Sequence, residues 1–245
     1  MKIKQGQHGG HEDSSEEGVV TGNDPAHVER LAALLRPVDL LDFVTHICQW
    51  LQDAHDAAAE LQPLRKNNHR GNWNNNTSFG TDRYEYLLRT AQSLGVDLPG
   101  FDADPAFQSV LLKLDHVGVY QFNAPAGPHG SLGDISDLRR ELLAPREDEA
   151  LIGRRDAWLD GRQLLLLPWA GTEEGGLTDA WAGQGTLVDG HITWDWVVRL
   201  QDIAATETGK ASPWLGSPSG PTLFDQSPPE IPIRPRTEQR HGSAG

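Results

Sequence analysis

The sequence predicts an α+β fold: about three N-terminal helices packed on an antiparallel sheet of about five strands, between disordered ends. Three observations carry this expectation. Apolar residues recur at helical spacing up to about residue 94, and β-prone runs dominate after Pro105. The pair Asp189-Gly190 separates two such runs in the manner of a type I′ hairpin turn. Composition sets the boundaries. Residues 1–22 are polar and charged with no apolar period, a disordered tail; 23–204 form a single α+β domain; 205–245 are rich in Pro, Gly and Ser, a disordered, polyproline-like tail.

The elements follow in order. Asp24-Pro25 opens the first helix, because Asp caps well and Pro is preorganised at the first helical position. Val28, Leu31, Leu34 and Leu35 form its inner face, and Pro37 ends it. A longer helix spans about 38–61. Leu40, Leu41, Val44, Ile47, Cys48, Leu51, Ala54 and Ala58 make its apolar stripe, and Pro63 marks its end. On the opposite side Asp39, Asp42, His46, Asp53 and Asp56 read as a solvated face. Residues 62–79 form a polar loop. Gly80-Thr81-Asp82 begins a third helix with Thr81 as its cap, Tyr84, Leu87, Leu88 and Ala91 on its inner face, and Gly95 as its stop.

Strands are expected over 107–114 and 117–122, with Asp115-His116 in the turn between them, and a short helix over 135–143, ended by Pro145. A buried strand over 162–168 holds four consecutive leucines, Leu164 to Leu167, and Asp160-Gly161 before it resembles a second hairpin turn. After Asp189-Gly190, strict alternation places Ile192, Trp194, Trp196 and Val198 on one face.

Charge and composition exclude several classes. The net charge is −14, and residues 97–195 carry 17 acidic against 7 basic residues. A field of that sign repels polyphosphate backbones, so generic DNA binding is not expected. No apolar run reaches the length of a bilayer span and no signal-peptide apolar region is visible, so a cytoplasmic protein without membrane contact is expected. A single cysteine, Cys48, leaves no internal disulfide and no cysteine zinc site. HExxH, GxSxG, GxxxxGK[ST] and GxGxxG before a helix are all absent, and no cofactor or metal is expected.

The densest polar constellation is 65–83. Five groups there, Arg65, Lys66, His69, Arg70 and Arg83, are cationic or potentially so, in a chain that is otherwise acidic. Leading into a helix N-terminus at Thr81, the segment suits an anion, since free N–H groups and the helix dipole favour negative charge there. Arg70 suits a bidentate grip on phosphate or carboxylate, Trp73 a stack on a base, and Asn72 and Asn76 its edge. His69, Arg70, Asn72, Trp73, Asn76, Thr81 and Arg83 are therefore the expected ligand-binding residues. Besides a structural subunit that buries Ile192, Trp194 and Trp196 against another chain, two functions remain open for this segment. One is an interaction or regulatory protein that uses this segment as its recognition surface for a protein partner. The other is an enzyme or sensor that binds a nucleotide or another phosphorylated small molecule there, with Arg65, Arg70 and Arg83 on phosphate and His69 as acid or base.

Overall fold

The computed structural model describes residues 22–67, 75–104, 110–133, 137–143 and 155–208. Asp24 caps helix α1 (Pro25–Leu35) by accepting from the Ala26 N–H, as the sequence leads one to expect. Asp39 caps α2 (Leu40–Lys66) by accepting from Leu41 and Asp42. Pro63 does not end this helix. It sits in the last turn, where the N–H it lacks costs one intrahelical bond, and its carbonyl still accepts from the Asn67 N–H at 3.0 Å.

Helix α3 (Asn76–Thr90) begins before Thr81. Its cap is Asn75, whose side chain accepts from the Ser78 N–H while Ser78 Oγ accepts from the Asn75 N–H. Thr81 is therefore no cap: it lies inside the helix, and its hydroxyl donates to the Thr77 carbonyl at 2.9 Å. Gly95 is likewise no stop, because a tight turn (Ala91–Ser93) leads straight into α4 (Leu94–Asp97), which contains it.

Strands β1 (Asp102–Asp104), β2 (Leu111–Lys113), β3 (Val117–Asn123), β4 (Gln163–Thr172), β5 (Gly176–Val188) and β6 (His191–Arg199) form one sheet in sequence order. The α+β class holds, with six strands among the described residues. All neighbours are antiparallel except β3 and β4, which run parallel, Val117 opposite Gln163 and Asn123 opposite Trp169. A parallel pair needs a long crossover. Here the connection carries α5 (Asp137–Leu143) and α6, described over residues 155–159. Asp160-Gly161, with φ of 51° and 76°, links α6 to β4 and is not a hairpin. Asp115 and His116 are exposed in the β2–β3 turn.

The crossover gives the sheet two covered faces. On one, α1, α2, α3 and α7 (Leu200–Thr208) bury Leu31, Phe43, Ile47, Leu51, Leu87 and Ile203 against Val119, Leu165, Leu167 and Trp196. On the other, Leu142 and Leu143 of α5 and Leu159 of α6 pack on Tyr120, Phe122, Leu164 and Leu166. This is why the leucine run of β4 is apolar on both sides. Helix α7 continues to Thr208, into the stretch assigned from sequence to the C-terminal tail. The remainder of that tail, and 1–21, lie outside the described residues.

Asp189 and Gly190, with φ of 50° and 81°, join β5 to β6 as expected. The tryptophans of β6 do not share a face. Gln184 pairs with Trp196 and Gly185 with Trp194, so Asp195 is an extra residue in β6. That bulge inverts the alternation. Ile192 and Trp194 join the α5–α6 side, whereas Trp196 and Val198 join the α2–α3 side.

Candidate functional site

The polar residues that the structure brings together lie where α2 and α3 cover the carboxyl ends of β3 and β4. Helix α2 turns His55 toward the sheet, on the stripe that also holds Leu51, Ala54, Ala58 and Gln62. Helix α3 turns Arg83 the same way, one turn from Phe79 and one from Leu87. Strand β4 supplies Trp169 and β3 supplies Gln121.

His55 is 1% exposed. Its Nδ1 lies 2.7 Å from the Leu51 carbonyl, which can only accept, so the ring proton sits on Nδ1 and Nε2 is left as an acceptor. Arg83 Nη1 fills that position at 3.0 Å. Burial lowers the His55 pKa to about 4, the Leu51 hydrogen bond opposes this, and the Arg83 charge lowers it further. The imidazole is therefore neutral at physiological pH.

Arg83 is 6% exposed. Burial lowers its pKa to about 10, which still leaves it charged. Its guanidinium carbon lies 4.3 Å from the centre of the Trp169 ring and 5.1 Å from that of Phe79. Trp169 is fixed in turn by its Nε1–H, which donates to Gln121 Oε1 at 2.7 Å, and by T-shaped packing with the His55 ring, the two centroids 5.4 Å apart. Gly171 makes room for the imidazole: a Cβ there would lie 2.5 Å from the Gly176 carbonyl and closer still to His55 Nε2.

Among the described residues no carboxylate pairs with Arg83. Its Nε is buried without a hydrogen-bond partner. Of the described side chains, only Tyr84 has another such atom, its hydroxyl. Arg65 is the contrast. It makes a two-point pair with Asp82, with Nη2 2.6 Å from Oδ1 and Nη1 on Oδ2. The buried Gln62 amide reaches the same carboxylate at 3.5 Å and accepts from Ser78 Oγ at 3.2 Å, tying the last turn of α2 to the start of α3.

Of the residues singled out from sequence, Arg83 is thus at the centre of the cluster, and Thr81 is exposed on the helix away from it. Asn76 is the first residue of α3, and its side chain lies outside the described residues. His69, Arg70, Asn72 and Trp73 lie outside them as well. His55, Gln121 and Trp169 were not among the expected site residues. A histidine on an apolar helical stripe was the available signal for the first; nothing local pointed to the other two.

No group of three or more His, Cys, Asp or Glu side chains among the described residues is placed to hold a metal ion. No described helix is long and apolar enough to cross a membrane. The chain matches no family model, no curated protein and no solved structure.

Proposed function

We propose that this protein acts by recognition, through the segment 65–83, and that the group it recognises is a small molecule carrying negative charge. The observation behind this reading is the buried Arg83 guanidinium, which has no counter-ion among the described residues. Taking an ion out of water costs several kcal/mol even after relaxation, roughly the size of what must be offset here. A cation–π contact returns about 0.5–2 kcal/mol and a hydrogen bond from a charged donor about 1.5–3 kcal/mol. The Trp169 and Phe79 rings and the neutral His55 thus offset much of the cost, but none of them carries a negative charge, and the Nε–H stays without a partner. An anion from outside the protein supplies the rest and cancels the charge.

Burial favours a small molecule over a protein partner, since a guanidinium that is 6% exposed is reached by a terminal oxyanion more readily than by a protein surface. Arg65 contributes no free charge, because Asp82 already holds it. His69, Arg70, Asn72 and Trp73 are the residues that would extend the site toward the rest of the ligand. The arrangement suits binding better than turnover. His55 has its two nitrogens committed to Leu51 and Arg83, leaving no lone pair to take a substrate proton.

A thermal-shift screen of carboxylic acids, sugar phosphates and nucleotides on the full chain tests the reading, with Arg83→Met and Arg70→Ala beside it. A ligand at a hundred times its Kd stabilises by about 2.7 kcal/mol, or several degrees in a domain of this size. A shift in the wild type that either variant abolishes supports recognition of an anion by this segment. A flat response to every anion, with the proteins folded, overturns it.

A further inference from the structure

Resting on the recognition reading above, we infer that the anion seated at Arg83 is a monoanionic carboxylate, held by the Nε–Nη2 edge of the guanidinium. Part of the Arg83 guanidinium is already engaged within the protein. Nη1 is committed to His55 Nε2 at 3.0 Å. The guanidinium carbon lies over two aromatic rings, 4.3 Å from the Trp169 centroid and 5.1 Å from that of Phe79. Nε has no partner, and Nη2 donates to no described residue. In a guanidinium, Nε–H and one N–H of Nη2 point the same way, as a fork whose spacing matches the two oxygens of a carboxylate. The edge that remains is therefore a two-point receptor for a planar oxyanion.

Charge selects among oxyanions. Within the cluster Arg83 contributes one positive charge. His55 is neutral, with its proton directed at the Leu51 carbonyl, and the nearby Arg65 is neutralised by Asp82. A carboxylate cancels one charge and leaves none. A phosphomonoester carries close to two negative charges above its second pKa, and the second would stay buried and unpaired. The site thus disfavours the phosphate of a nucleotide or sugar phosphate and favours the carboxylate of an organic acid. The aromatic contacts also hold the fork in one orientation, so little side-chain entropy is lost when the oxyanion arrives.

The Nε–H of Arg83 is itself the reporter. On the 15N-labelled full chain its NMR signal is assigned by its disappearance in Arg83→Lys; if that variant does not fold, an NOE to the Trp169 indole makes the same assignment. The wild type is titrated at about pH 8, where methyl phosphate is a dianion, with sodium acetate and separately with sodium methyl phosphate, sodium chloride holding ionic strength constant. The expected result is a saturable shift of this one signal by acetate, with methyl phosphate weaker by about tenfold or more. A signal that ignores acetate, or one that methyl phosphate saturates as readily, overturns the inference. The two readings fail separately. If acetate leaves Arg83 untouched while the screen yields a ligand whose effect vanishes in Arg70→Ala, the carboxylate inference falls and recognition through 65–83 stands. If no anion stabilises the chain, the recognition reading itself falls.

Discussion

Arg83 Nη1 donates to His55 Nε2 across 3.0 Å, so a buried cation rests on a neutral imidazole whose own proton is spent on the Leu51 carbonyl. The pair joins the two longest N-terminal helices over the end of the sheet. It is stable only while His55 stays unprotonated, because a second proton on the ring would place two cations in contact.

Acid should therefore weaken the fold through His55. Its folded pKa of about 4 lies below the value near 6.5 of an unfolded chain. The unfolded state then binds a proton that the folded state refuses. The contribution is complete above about pH 6.5 and is lost as the pH falls from there toward 4, by up to about 3 kcal/mol. Urea unfolding from neutral pH down to about pH 4 checks this. Compared with His55→Gln, the wild type should lose this much more stability. Parallel curves for the two proteins would contradict the assignment.

Gly171→Ala should destabilise the protein although the change is one methyl group. The added Cβ would meet the Gly176 carbonyl at 2.5 Å, and His55 Nε2 closer still, and the His55 ring is held in place by Leu51 and Arg83. Overpacking of this kind costs about 1–3 kcal/mol, equivalent to a fall in Tm of several degrees. Differential scanning calorimetry reads it. An unchanged Tm would mean that His55 does not occupy the place described.

Gln121→Leu should cost about 1–3 kcal/mol, because the buried Trp169 Nε1–H loses its acceptor. Adding Trp169→Phe removes the orphaned donor, so the double variant should lose less than the sum of the single changes. A denaturant double-mutant cycle measures that coupling; strict additivity would argue against the hydrogen bond.

The Arg65–Asp82 pair should couple by about 1 kcal/mol in a cycle of Arg65→Met and Asp82→Asn, the range of a well-aligned, partly exposed ion pair. Urea unfolding of the two single variants and the double variant measures that coupling; strict additivity would argue against the pair.

Local chemistry was legible wherever neighbours in sequence decide it. Asp24 and Pro25 announce the start of α1, and Asp189-Gly190 announces the β5–β6 turn, because a cap or a two-residue turn needs only adjacent residues. Where two local signals compete, tertiary contacts choose. Thr81 and Asn75 are both capable caps; the capping box with Ser78, tied to Gln62 of α2, selects Asn75. Pro63 would end a free helix, but Arg65 holds the following turn against Asp82. The alternation of β6 predicts one face for Trp194 and Trp196, and a single extra residue in the register separates them.

Of the candidate site, the sequence singled out Arg83 for its charge within a basic segment, and mistook the role of Thr81. It left His55, Gln121 and Trp169 unmarked. An arginine four residues after Phe79 and four before Leu87 is on the buried stripe of α3, but polarity scales count it as outward-facing.

By itself, then, the sequence determined the α+β class, the start of α1, the position of the β5–β6 turn and a net charge of −14, all set by composition or by residues within a few positions of each other. Only the tertiary structure decided the parallel pairing of β3 with β4, the second covered face of the sheet and the buried Arg83 cluster. These join residues 28 and 48 positions apart, such as His55 with Arg83 and Gln121 with Trp169. Such contacts depend on how whole elements pack, and no window along the chain contains both partners.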